Sequence, residues 1–192
     1  MPLLDHFHPP LFPRRHWESF HVNWAGAIAD SLNEFLLPDG YFAEEHGTYP
    51  DEYGIRVFEN EGGEAAKAEI AIVSPANKDR IVSRGRFASM CIDLLRENKS
   101  LVVVDIVTNQ KANLHSEIMG LLGRVTETGP PGSADLYCVA YRTKANRLDL
   151  WAYPLAIGSD LPKLPLFLDA ELCVPIDLES TYTAACNRRR LS

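Results

Sequence analysis

The sequence predicts a single α/β domain built on a mixed sheet, and three observations carry that expectation. The run Leu101-Val102-Val103-Val104-Asp105-Ile106-Val107 is nearly continuous in apolar residues, as suits a strand buried on both faces of a parallel pairing. A helical pattern precedes it and a strand pattern precedes that, so the stretch reads as a strand-helix-strand unit with a right-handed crossover. Two further strand patterns lie upstream, the second and third joined by the turn-forming run Glu59-Asn60-Glu61-Gly62-Gly63.

Taken in order, residues 1–16 form an extended, Pro- and His-rich lead-in. A helix begins near Trp17, because Trp17, Phe20, Trp24, Ile28, Leu32 and Phe35 recur at helical spacing, and Leu37-Pro38-Asp39-Gly40 stops it. Strands are expected at 41–47, 54–58 and 67–74, the last two antiparallel to each other. A second helix covers 79–98 with Phe87, Met90, Cys91, Leu94 and Leu95 on its core face, and strand 101–108 joins the same sheet as 67–74. A short helix follows at 114–124, then a loop at Thr128-Gly129-Pro130-Pro131-Gly132. Strands 135–143 and 147–153 form a hairpin around Thr143-Lys144-Ala145-Asn146. Residues 154–175 read as a Pro-rich wrap, and a terminal helix covers 177–187 with Asp177 at its start, where an acid suits the helix dipole. Residues 17–127 thus form the core, and 135–192 supply the hairpin, wrap and last helix.

Composition excludes several classes. The 192 residues suffice for one sizeable core, and 46% hydrophobic with 23% charged residues is an ordinary globular balance. A formal net charge of -7 argues against general affinity for duplex nucleic acid, which rewards Lys and Arg at phosphates. The basic run Asn187-Arg188-Arg189-Arg190 reads as a frayed, solvated end. Cys91, Cys138, Cys173 and Cys186 are too far apart for a zinc knuckle or a redox pair, and Cys91 and Cys138 fall on apolar patterns as core residues. No leader and no membrane span is visible, so a reducing cytoplasm is the expected compartment. There is no Gly-rich phosphate loop and no nucleophile elbow.

The order helix, three strands, helix, strand is shared with the PD-(D/E)XK, restriction-endonuclease-like core. The segment Ile72-Val73-Ser74-Pro75-Ala76-Asn77-Lys78-Asp79-Arg80 is more specific. Together with Val104-Asp105-Ile106-Val107-Thr108, Ala112-Asn113-Leu114-His115 and Leu172-Cys173-Val174-Pro175-Ile176-Asp177-Leu178, it resembles the bacterial domain-of-unknown-function family numbered 4058. The likeness also takes in the Trp17 helix and the hairpin ending in Leu150-Trp151. It implies a nuclease-like fold and carries no activity with it. Relatives usually have a Glu one residue before the Ile-Val-Ser-Pro run, and here that position is Ala71. In nuclease-like sites such a carboxylate holds a hard divalent ion, and a Lys two residues later steadies charge on the phosphate. Here no Glu-x-Lys is present.

The candidate sites follow from these readings. Glu69 shares a strand face with Ala71, and Asp51 or Glu52 lies on the preceding segment. An active metal-dependent phosphodiesterase would therefore use Asp51, Glu69 and Lys78 with magnesium or manganese, and otherwise no cofactor is expected. Lys78, Arg80, Arg84 and Arg86 crowd the start of the second helix, where cations oppose the dipole. They suggest either an anion site or pairing with surface acids, and pairing is the favoured reading. Asp105 interrupts an apolar run, so it must be paired if buried. Lys78 or Arg84 is its expected partner, with Asn77, Asn109 and His115 close enough in sequence to join a binding cluster at one end of the sheet. A weaker third option is a hydrolase or nucleotide-handling enzyme at this Asp105 crevice. His6, His8, His16 and His21 lack the rigid scaffold a zinc site needs and are read as a surface segment. The expected function is a non-catalytic or degraded nuclease-like domain that binds or scaffolds, with a small anion or a protein as partner and nucleic acid disfavoured. The alternative is the active phosphodiesterase or nuclease.

Overall fold

The computed structural model describes residues 1–47, 53–61, 63, 65–124, 134–145 and 147–191. A six-stranded mixed sheet forms the centre, ordered β1 (Tyr41–His46), β2 (Gly54–Glu59), β3 (Ala68–Ile72), β4 (Ser100–Asp105), β5 (Tyr137–Lys144) and β6 (Arg147–Pro154). The β2 and β3 strands pair antiparallel and β3 and β4 pair parallel, as the apolar run and the hairpin pattern predict. The remaining neighbours are antiparallel. Every residue of β3 and β4 is buried, which explains why neither strand alternates in polarity. Gly54 is required at the start of β2, because a Cβ there would come within 2.6 Å of the Ile70 carbonyl oxygen.

Helix α1 (Trp17–Ser31) buries Trp17, Phe20, Trp24 and Ile28 and packs on the closing helix α5 (Leu178–Arg189). It runs into a π-helical turn at Leu32–Leu36. The wider turn rotates the chain off the apolar stripe, so Phe35, expected on one face with Trp17 and Trp24, is 77% exposed. The second helix is also shorter than predicted. A single turn, α2 (Pro75–Lys78), ends before Arg80, whose extended backbone starts α3 (Ile81–Arg96). Lys78 therefore closes one helix instead of crowding the start of the next, and the C-terminal end suits its charge. Helix α4 (Leu114–Leu121) packs against α3.

The stretch read as an irregular wrap contains a second sheet, β7 (Lys163–Phe167) with β8 (Cys173–Asp177). Pro165 and Pro175 stand opposite each other in it, tolerable because each strand of a two-stranded ribbon has a free edge. Asp177 caps α5, its side chain accepting the Ser180 N–H at 2.9 Å.

The lead-in is part of the core. Leu3, His6 and Phe7 are buried, and His6 Nε2 lies 2.8 Å from the Tyr182 hydroxyl of α5. His21 Nε2 donates to the Ile72 carbonyl at 2.8 Å, tying α1 to β3. Thr108 beyond β4 donates to Asp5 at 2.7 Å, which also holds the His8 ring at 2.9 Å. These histidines are thus structural, and among the described residues no group of side chains is arranged to hold a metal. No helix among them is long and apolar enough to cross a membrane.

Burial pushes His6, His21 and His115 down from 6.5 to about 4. All three are therefore neutral in the fold at neutral pH. In the unfolded chain they take protons as pH falls below 6.5, whereas the native state resists until about 4. Their contribution is complete above the unfolded value and is lost as pH falls through that window. The urea midpoint is expected to drop between about pH 7 and about pH 5. A midpoint that holds constant across that interval contradicts neutral burial of these rings.

Candidate functional site

The polar cluster predicted at one end of the sheet forms where β3 and β4 both terminate. Beyond β3 the ladder continues for one bond, Val73 N–H to the Val104 carbonyl at 2.8 Å. Ser74 then starts α2 through a reciprocal capping box in which its N–H donates to Asn77 Oδ1 at 2.8 Å. This single capped turn delivers Lys78 to Asp105, the last residue of β4. Lys78 Nζ lies 2.8 Å and 3.1 Å from the two carboxylate oxygens, and both side chains have zero exposure. Asp105 also accepts the Val107 N–H at 3.1 Å.

Tyr137 sits opposite Asp105 on β5, and its hydroxyl helps to keep the carboxylate ionised. The same hydroxyl oxygen accepts the His115 N–H at 3.0 Å. His115 Nδ1 in turn lies 2.6 Å from the Tyr141 hydroxyl. Arg84 ties α3 to α4 by donating to Glu117 at 2.6 Å, and it reaches the Lys78 carbonyl at 3.5 Å. Lys78, Asp105 and His115 thus join one buried network, with Arg84 at its rim. Asn77 acts as a backbone cap, and Asn109 is exposed on the bend after β4.

Burial pushes the Asp105 carboxyl up from its ordinary value, and the Lys78 ammonium beside it pulls the other way, helped by Val107 N–H and Tyr137. Burial holds the Tyr137 and Tyr141 phenols well above theirs. The network is therefore stocked with protonated hydroxyls and neutral imidazole around one ion pair. No anion can reach Lys78 without breaking that pair, so the pairing alternative, not the anion site, describes this lysine.

The residues named for metal-dependent cleavage are not brought together. Glu69 is 4% exposed and accepts a hydrogen bond from Arg56 Nε at 2.7 Å, directly across from it on β2. It pairs in register with Leu101, at the start of β4, whereas Lys78 is bound at the end of that strand. Four residues of strand separate the two, roughly 13 Å. Asp51, the third member, lies outside the described residues, as does Glu52. Of the remaining basic residues at the start of α3, Arg80 lies 3.6 Å from Asp79.

A different cluster was missed. The tail expected to fray is helical to Arg189, and beyond it Leu191 is buried at 3% exposure. Arg190 closes α5 in the left-handed conformation. Arg188, Arg189 and Arg190 are thereby held beside Arg14, Arg15 and Trp17 around a cavity of about 300 Å³. Arg15 donates to the Arg190 carbonyl at 3.4 Å. The only sequence signal was a pair of short basic runs at opposite ends of an acidic chain.

Comparison with family models, with curated proteins and with solved structures finds no match.

The buried pair can be tested by substitution. Lys78→Met leaves a carboxylate buried without its cation and is expected to cost about 3–5 kcal/mol in urea unfolding. Lys78→Met combined with Asp105→Leu should recover most of that loss. A single substitution that costs no more than the double would show that the two groups do not depend on each other.

Proposed function

We propose that the chain is a non-catalytic binding or scaffold domain on a restriction-endonuclease-like core, as in the family 4058 it resembles. The element order supports this reading: α1, then β1, β2 and β3, then α3, then β4 parallel to β3. The observation that carries it is the sealed Lys78–Asp105 pair. In an α/β sheet the crevice at the carboxyl ends of parallel strands is where ligands and catalytic groups usually gather. Here that position is closed by an ion pair with zero exposure on both sides.

A hydrolytic metal site needs carboxylate oxygens free to coordinate. The Asp105 oxygens are taken by Lys78 and Val107, and Glu69 by Arg56. Ala71, where the resemblance would place a ligand carboxylate, is buried. The chemistry left to the fold is recognition, with a small anion or a protein as partner. All four cysteines are free, which supports a reducing cytoplasm as the compartment.

The test is an assay of DNA and RNA cleavage with magnesium and with manganese. No cleavage is expected with either metal. Reproducible cleavage that disappears in Glu69→Ala would overturn the reading, because it would require Glu69 to leave Arg56 and bind the metal.

A further inference from the structure

We propose that the arginine-lined cavity between the lead-in and the end of α5 binds a small phosphate-bearing ligand with at least two negative charges. This rests on the reading above that the chain binds and does not cleave.

The charge placement is the first observation. The chain carries 19 Lys and Arg against 26 Asp and Glu, yet five of its arginines surround this one cavity. Arg188 reaches Asp30 at 3.3 Å, with both side chains about half exposed. Among the described residues, Arg14, Arg15, Arg189 and Arg190 have no carboxylate within ion-pair distance. Four like charges with no counter-charge among the described residues repel one another, and an anion among them offsets that repulsion. Guanidinium groups also match phosphate oxygens two bonds at a time.

The donors that are not arginines point the same way. Trp17 lines the cavity at 6% exposure, and its indole N–H is buried without a hydrogen-bond partner. Trp17 is also the first residue of the 15-residue α1, whose N-cap His16 contributes no side-chain bond. The first-turn N–H groups are therefore left for an anion, and the positive end of the helix dipole favours it. Glu18 is the one acid in that turn, and it is exposed.

The class of ligand follows from the walls. A volume of about 300 Å³ is at the lower end for a small-molecule site and exceeds what a single phosphate fills. Phe20 is 2% exposed and Trp17 6%, so neither ring offers an open face on which a base could stack. Recognition is of the charged group. A nucleic-acid strand running past the cavity would meet a surface whose overall charge is negative, which a small ligand avoids.

The probe is pyrophosphate, titrated calorimetrically into the full chain at low salt. Saturable binding and a raised melting temperature are expected. Affinity should fall by at least about tenfold in Arg189→Ala/Arg190→Ala and in Arg14→Ala/Arg15→Ala. It should hold in Arg147→Ala, an exposed arginine of β6. The substituted side chains are exposed, so the urea midpoint should stay near that of the parent. ADP bound as tightly as pyrophosphate identifies the ligand as a phosphate ester, whereas refusal of ADP identifies a free anion, and either sustains the proposal. No saturation in the millimolar range overturns it, as does binding indifferent to the arginine substitutions. Capture of a single-stranded oligonucleotide but not pyrophosphate overturns it too. Metal-dependent cleavage with pyrophosphate binding intact would overturn only the non-catalytic reading. Neither cleavage nor binding would overturn only this site.

Discussion

The ion pair between Lys78 and Asp105 joins the ends of the two parallel strands at the centre of the sheet. Each charge alone would be expensive to bury, and each is hydrogen-bonded beyond its partner, Asp105 to the Val107 N–H and Lys78 toward the Val107 carbonyl at 3.5 Å. Much of the local architecture serves that meeting. The capping box at Ser74 and Asn77 starts α2, and the extended backbone at Arg80 ends it after one turn and lets α3 start afresh. Tyr137 carries the network to His115 at the start of α4, and Arg84 with Glu117 clamps α3 to α4 outside it. A crevice that elsewhere would hold a ligand is here an internal fastening.

Closing one end of the sheet shifts the question of function to the surface. The lead-in and α5 come together through buried contacts, His6 with Tyr182 and Trp24 Nε1 with Thr181 at 3.2 Å. Their junction brings the two basic runs into one cavity on a chain that is otherwise acidic. Four of the arginines gathered there, Arg14, Arg15, Arg189 and Arg190, have no carboxylate within ion-pair distance among the described residues, whereas Lys78, Arg56 and Arg84 pair with acids around the sheet.

Most of the sheet was legible because its signals are local. The apolar run 101–107 marked a strand buried on both faces, and Asp105 within it demanded a cation that Lys78, following the end of the adjacent strand, was placed to supply. Other features depended on tertiary context. The π-helical turn after Ser31 has no composition cue, so Phe35 was assigned to the face of Trp17 and Trp24 on spacing alone. Prolines disguised the β7–β8 ribbon, since they argue against central strands but not against a two-stranded pair. The break at Asp79–Arg80 contains neither Gly nor Pro. The arginine cavity was invisible because its halves lie at opposite ends of the chain and neither run alone says what faces it. Glu69 looked available because sequence shows its strand face but not Arg56 across from it.

The central claim, that Lys78 and Asp105 form a closed ion pair at the carboxyl end of the sheet, is tested most directly by manganese titration followed in amide NMR spectra. Bound manganese broadens the signals of nearby nuclei. The amides of Ala71, Lys78, Asp105 and Val107 are expected to keep their intensities while exposed acidic regions broaden weakly and non-specifically. Selective broadening of those four amides at low manganese would contradict the account, since it would place the ion at a carboxylate that the structure pairs with Lys78.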